Sequence, residues 1–270
     1  MAHPTCRLHS VPVLALALAL GVMAGMPVFA QDTGTDDVPT APEGWTGTGE
    51  LGFASARGNA RSESLNLRFA LGHEGPRWRH GWHASALRAK GDVVGDFDGD
   101  GVDEGRYAVN ANRYELGLSS AYRLDGRNHV AGSVRYENDD FSPYEYQATL
   151  AISYGRQMID SERTRLGGEI GPGYRRARDF ETGVVESDLI VRGLLDFSHR
   201  LTDSAELVNR LLVEAGADNT FAQNDFGISV AMNESFALKA GLQARHNTEV
   251  GPDTRRTDTL TTINLVYSFR

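Results

Sequence analysis

From residue 44 to the end of the chain, apolar and polar residues alternate with a period of two, segment after segment. Between Ser64 and Gly72, Leu65, Leu67, Phe69 and Leu71 share one face, while Ser64, Asn66, Arg68 and Ala70 share the other. The pattern returns in Tyr144, Tyr146, Ala148, Leu150, Ile152 and Tyr154, and again in Thr261, Ile263, Leu265, Tyr267 and Phe269. A helix would bring apolar residues back at three- and four-residue intervals; a pleated strand puts alternate residues on one face. Turn residues then mark strands at 44–56, 61–73, 77–90, 106–122, 128–138, 144–158, 163–175, 186–200, 204–215, 221–232, 235–247 and 257–270. Nearly all are about twice the length of a soluble-protein strand, roughly 5–6 residues, and suit a tilted bilayer crossing with overhangs.

Lipid offers backbone N–H and C=O groups no partners, so a spanning sheet must close on itself and leave no edge. Twelve is an even number, which lets an up-and-down meander close. The predicted fold class is therefore all-β, a twelve-stranded antiparallel transmembrane β-barrel over 44–270, with apolar residues toward outer-membrane lipid and polar ones inside. After residue 30 no apolar stretch approaches the roughly 20 residues of a spanning helix. Residues 1–30 read as a secretory signal peptide, with Arg7, the apolar run Val11 to Val22 and a cleavage site after Ala30. Residues 31–43, rich in Asp, Thr and Pro, read as a flexible linker. Together these predict export to the outer membrane of a Gram-negative bacterium.

The one cysteine, Cys6, lies in that leader, so the mature chain would carry no disulfide, thiolate metal site or catalytic thiol. With the leader gone, 36 Asp and Glu face about 26 Lys and Arg, a balance that excludes a nucleic-acid partner. The connections differ in character. His73–Arg77, Asp125–Asn128, Asp160–Arg163, Arg200–Ser204 and Asn233–Ser235 are tight periplasmic turns, and Gly91–Gly105, Arg176–Val185 and Thr248–Arg256 are longer extracellular loops. Trp45, Trp78, Tyr107, Tyr122, Tyr136, Tyr144, Tyr154, Tyr174 and Tyr267 suit interfacial girdles.

Chemistry-bearing residues fall in three groups. The alternation turns Glu50, Arg68, Glu145, Glu169, Arg192, Asp196, Arg210, Glu214, Lys239 and Arg245 toward the lumen, as either an ion-paired plug or charged rings along a slim pore. Asp96, Asp98, Asp100 and Asp103 resemble the first half of a calcium loop, with Gly101 at the sixth position but Tyr107 where a bidentate glutamate belongs, so either calcium binding or a solvated acidic loop fits. Among the mature histidines, His80 and His83 form the one close pair, and opposite strand faces keep them from sharing a metal. Neither Gly-x-Ser-x-Gly nor His-Glu-x-x-His occurs, so no catalytic residue is assigned and no enzyme is predicted.

Gly44-Trp45-Thr46-Gly47-Thr48-Gly49-Glu50-Leu51-Gly52, then Arg57-Gly58-Asn59 and Ser64-Leu65-Asn66-Leu67, form a Trp-opened, glycine-punctuated hairpin. This resembles the YdiY-like family of salt-induced outer-membrane proteins. Asn112-Arg113-Tyr114-Glu115-Leu116 and Gly167-Gly168-Glu169-Ile170-Gly171-Pro172-Gly173-Tyr174 are similar to its middle section. The resemblance implies an outer-membrane barrel of unassigned activity, linked by name to salt stress, and brings no catalytic residues. The acidic stretch Gly91–Gly105 departs from the family, and so does Arg270, which follows the aromatic Phe269 that such barrels present to their insertion machinery. Two readings of function stand, an envelope-stress barrel with little transport and a narrow diffusion channel. A lipid-modifying enzyme is a distant third.

Overall fold

The structure, a computed structural model, describes residues 43–56, 61–95, 101–102, 104–250 and 255–269. The strands are β1 (Gly44–Ala56), β2 (Ser62–Glu74), β3 (Trp78–Gly95), β4 (Glu104–Arg123), β5 (Asn128–Asp139), β6 (Tyr144–Asp160), β7 (Thr164–Asp179), β8 (Val185–Arg200), β9 (Ala205–Ala215), β10 (Thr220–Ala231), β11 (Phe236–Asn247) and β12 (Thr257–Phe269). Each is antiparallel to its sequence neighbours, and β12 returns to β1, so these twelve close into a barrel. Predicted bounds hold to within two residues except at the ends of β3 and β7. There the ladders run on, through Gly95↔Glu104 and Arg178↔Val185, into what was expected to be loop. A hairpin above the lipid needs no apolar face, so the alternation fades while the backbone pairing continues. The leader, the linker to residue 42, Arg270 and the acidic-loop residues Asp96, Asp98, Asp100 and Asp103 lie outside the described residues.

The barrel is inverted relative to a water-soluble one. Ile152 is 62% exposed on the outside, while Asn264, one position from the outward Ile263 and Leu265, is 1% exposed inside. Leu65, Leu67, Phe69, Leu116, Leu118, Leu150, Ile170 and Leu189 extend the outer apolar band across adjacent strands. So broad a greasy surface belongs against lipid tails.

Aromatic rings bound that band. Near one rim Trp45 stacks on Trp82 at 5.6 Å, and Trp78 meets Tyr122 edge-on at 5.1 Å. Near the other, Tyr136 lies about equally close to Tyr114 and to Tyr146, at 6.2 and 6.1 Å. Tyr114 and Tyr122 both lie on β4. The eight residue steps between them, at about 3.4 Å each and a tilt of roughly 40°, set their levels about 20 Å apart, close to the apolar height of an outer-membrane barrel.

Two irregularities matter. At Tyr144/Tyr146 the β6–β7 register shifts, and this bulge reverses the phase of the strand end. Tyr144, expected in the girdle, is therefore buried at 7%, and Tyr146 takes the outer position. The second is the seam. The β1–β12 ladder comprises five pairs, Gly47↔Phe269 to Leu51↔Leu265, whereas β1–β2 comprises thirteen. The Phe269 ring lies over Gly47, where any Cβ would collide with it.

Short turns join the strands at the first rim. In one of them Asp125 accepts from the Asn128 side chain and from the backbone N–H groups of Arg127 and Asn128, each at 2.7 Å. These bonds favour the carboxylate and hold the Asp125 carboxyl below its ordinary range, led by the Asn128 side chain. A lowered folded value means that the turn's contribution is present above the unfolded pKa and is lost as pH falls through the folded one. An NMR titration should find Asp125 protonating later, on acidification, than a free aspartate; an ordinary midpoint would contradict the turn. On the outer wall, Ile152→Arg should cost about 2–4 kcal/mol in urea unfolding from bilayers. A loss within about 0.5 kcal/mol, as at a water-exposed site, would contradict lipid contact.

Candidate functional site: the ion-paired lumen

Inward positions on β4, β5, β9 and β11 carry charge, and the strands bring these charges together near the rim that bears the connection between β11 and β12. Arg135 donates to Glu214 at 2.7 Å and to Glu137 at 2.9 Å, and reaches Glu115 at 3.4 Å. Arg245 donates to Asp139 at 2.9 Å and also to Glu137. Arg113 adds a 2.5 Å bond to Gln243 and an ion pair with Asp139 at 3.8 Å. Carboxylates from three strands thus share three guanidiniums, an arrangement that keeps every charge partnered where water is scarce.

Phe221, on β10, completes this layer. It has no exposed surface, and the guanidiniums of Arg135 and Arg245 lie 4.9 and 5.1 Å from its ring centroid. Leu194 and Leu212 pack beside it. The π-face accepts the two cations where no further carboxylate reaches them.

β5 and β11 stand six places apart in a ring of twelve, on opposite walls. Twelve strands spaced about 4.8 Å apart and tilted roughly 40° would make a round barrel about 24 Å across between backbones. That is farther than one arginine and one glutamate reach end to end. The direct Arg245–Glu137 contact therefore draws the section into an oval at this level. With Glu137 at 2% exposure and Glu214 at zero, these side chains leave no water-wide passage beside them.

Below the layer the lumen opens as a cavity of about 740 Å³ toward the short-turn rim. Its walls carry further pairs: Lys239 with Glu50 at 2.7 Å, Arg68 with Asp225 at 3.1 Å, Arg210 with Asp196 at 2.8 Å, and Glu169 with His129 at 3.2 Å and Arg192 at 3.4 Å. His83 binds Glu115 at 3.0 Å from the cavity side. The rings of His83 and His129 lie on Gly117 and Gly155, their direct cross-strand partners, in space that a Cβ would occupy. Glycine at those two positions is what lets each imidazole lie flat and reach its carboxylate.

Of the ten charges assigned inward from the sequence, Glu50, Arg68, Glu169, Arg192, Asp196, Arg210, Glu214 and Lys239 line the cavity, and Arg245 lies in the closed layer. Glu145 does not join them. It pairs with Arg178 at 3.2 Å, both side chains nearly half exposed, because the β6 bulge reverses its phase. Sequence reasoning missed Arg113, Glu115, Arg135, Glu137, Asp139, Asp225 and Phe221. The alternation contained the signal for Arg135 and Glu137, since Val130, Val134 and Tyr136 turn the other way.

Ser120 Oγ lies 3.0 Å from His80 Nδ1 on the outer wall. Thr164 with His199 and Thr257 with His246 repeat this hydroxyl–Nδ1 contact, and all three are direct cross-strand pairs. Among the described residues no carboxylate or amide holds the second nitrogen of His80. The contact is thus a recurring feature of the ladder.

A closed antiparallel barrel with an apolar exterior, aromatic belts and a charged interior defines a transmembrane β-barrel protein of the outer-membrane type. Residues 49–269 match the family described as "Protein of unknown function, DUF481", and the chain belongs to that family. It is 26% identical to the uncharacterized protein YdiY of Escherichia coli K12 over 97% of this chain and 98% of that protein. Among solved structures it is similar to an outer-membrane channel of Pseudomonas putida F1 (13% identity, 88% of this chain and 99% of that chain, TM-score 0.48). It is also similar to the translocator domain of the autotransporter NalP of Neisseria meningitidis (11% identity, 87% and 91%, TM-score 0.46).

Glu214→Ala removes the closest carboxylate partner of buried Arg135 and should cost about 3–5 kcal/mol, whereas Glu214→Gln, which keeps an acceptor, should cost less. Urea unfolding in detergent or bilayers measures both. Equal small losses would mean that the layer is not load-sharing.

Proposed function

We propose that this chain is an outer-membrane barrel of the Gram-negative envelope whose resting lumen is closed, an envelope-stress component and not a constitutive pore. The observation that carries this reading is the zero exposure of Glu214 and Phe221 in the layer that crosses the lumen. In this reading residues 1–30 direct export and are removed, and the last strand, ending in Tyr267-Ser268-Phe269, is presented to the insertion machinery. The salt response then concerns when the barrel is made.

The cavity favours a second reading, a narrow channel in a closed state. It occupies about 740 Å³ and, among the described residues, ends against side chains. Side chains rotate on their own stems, so a modest rearrangement of the guanidiniums would open a path.

Planar-bilayer recording separates the two. The closed barrel should show no steady stepwise conductance, and Glu137→Ala combined with Arg245→Ala should create it. Stable steps from the unaltered protein, changed by Arg68→Ala or Arg192→Ala, would overturn the closed reading in favour of the channel.

A further inference from the structure

The cavity on the short-turn side carries more positive charge than it pairs. Eight arginine and lysine side chains line it against six carboxylates, in a protein whose formal charge is −9. Every one of those carboxylates is engaged. Glu50 is held by Lys239 and Asn264, Glu115 by His83 and Arg135, and Glu169 by His129 and Arg192. Asp196, Glu214 and Asp225 are held by Arg210, Arg135 and Arg68. Arg113 turns out of the cavity to Asp139 and Gln243. The side chains of Arg79 and Arg165 remain: their cross-strand neighbours include Glu74, which is held by Arg123, and Asp160, and among the described residues neither arginine makes an ion pair or side-chain hydrogen bond.

Their placement is specific. Arg79 lies at the start of β3 and Arg165 at the start of β7, so the two stand at the cavity mouth on separate walls. Both are exposed. Arg165 stands between two direct cross-strand partners, Ser198 on β8, which sets a hydroxyl beside it, and Asp160 on β6, with which it makes no ion pair. The mouth leads inward past Arg192, Arg210 and Lys239, while the closed layer blocks the far end. A blind, polar-walled cavity with cations of one sign left over concentrates field and recruits anions. Guanidinium forks match carboxylate and phosphate oxygens, and the volume is that of an ordinary small-molecule site.

We propose that this cavity is a binding site for a small soluble polyanion, bearing carboxylate or phosphate groups, that enters from the short-turn rim and is held by Arg79 and Arg165. The blind end of the cavity rests on the closed-lumen reading, which bilayer recording tests separately; the two arginines at its mouth do not. The wall separates it from the lipid, and its serine, asparagine and glutamine lining suits a hydrated solute, not an acyl chain.

Isothermal titration of the full mature barrel in detergent micelles, with citrate and separately with pyrophosphate, tests the assignment. Saturable one-to-one binding of either probe is expected, and the probe that binds tells which anion group is read. Arg79→Gln combined with Arg165→Gln should weaken it about tenfold or more, since each arginine would contribute a charge-assisted bond. Circular dichroism checks that the double variant keeps its strands. Arg127→Gln, in a turn outside the cavity, should leave affinity unchanged. Absence of saturable binding at millimolar probe would overturn the proposal. So would equal affinity in the double variant, or an equal loss in Arg127→Gln, which would mark a general effect of net charge.

Discussion

A bilayer core cannot hydrogen-bond to a peptide group, and each unpaired one costs several kcal/mol there. The pairing of β12 with β1 is the local answer to that cost, and much else follows from it. Closure fixes an inside and an outside for every strand, which makes strict alternation sufficient to sort Ile152 to the lipid and Asn264 to the lumen. It also makes room for charge. Residues that no soluble core of this size would tolerate are gathered inside a wall of backbone hydrogen bonds, and the chain must then pair them.

The interior does so unevenly. Near one rim, arginines and carboxylates from opposite walls meet around Phe221 and draw the barrel oval; toward the other rim, most pairs form between near neighbours, Arg68 with Asp225 reaching across four strands, and the centre is left open. Cross-lumen pairs couple distant strands, so they act on the shape of the whole tube, whereas neighbour pairs act on one stretch of wall. One sequence thus combines a closed layer and an open chamber within a single uniform sheet.

Most of the architecture was legible because the lipid imposes one rule on every strand. Leu65, Leu67 and Phe69 could be set outside, and Glu50, Lys239 and Arg210 inside, from parity alone. Parity fails where a strand gains a residue. Nothing in the Tyr144-Glu145-Tyr146 run announces the bulge, so Glu145 and Tyr144 exchanged sides. Pairing across the lumen was equally hidden, because Arg245 and Glu137 lie 108 positions apart and only the curvature of the closed sheet makes them neighbours. The strand extensions to Gly95 and Asp179 escaped for a different reason: above the lipid, composition no longer reports on backbone pairing.

The seam between the first and last strands closes the tube with five pairs where the adjoining hairpin uses thirteen. Its two sides are held by no covalent turn, and the residues that meet there, Gly47 and Phe269, come from the two ends of the barrel sequence. A cylinder fastened this way is anisotropic. The other eleven junctions hold between ten and eighteen pairs each, so lateral pressure from a surrounding membrane meets the least resistance at the twelfth. The wall therefore has a built-in line along which it yields first, and Phe269, seated over Gly47 at that line, acts as its clasp.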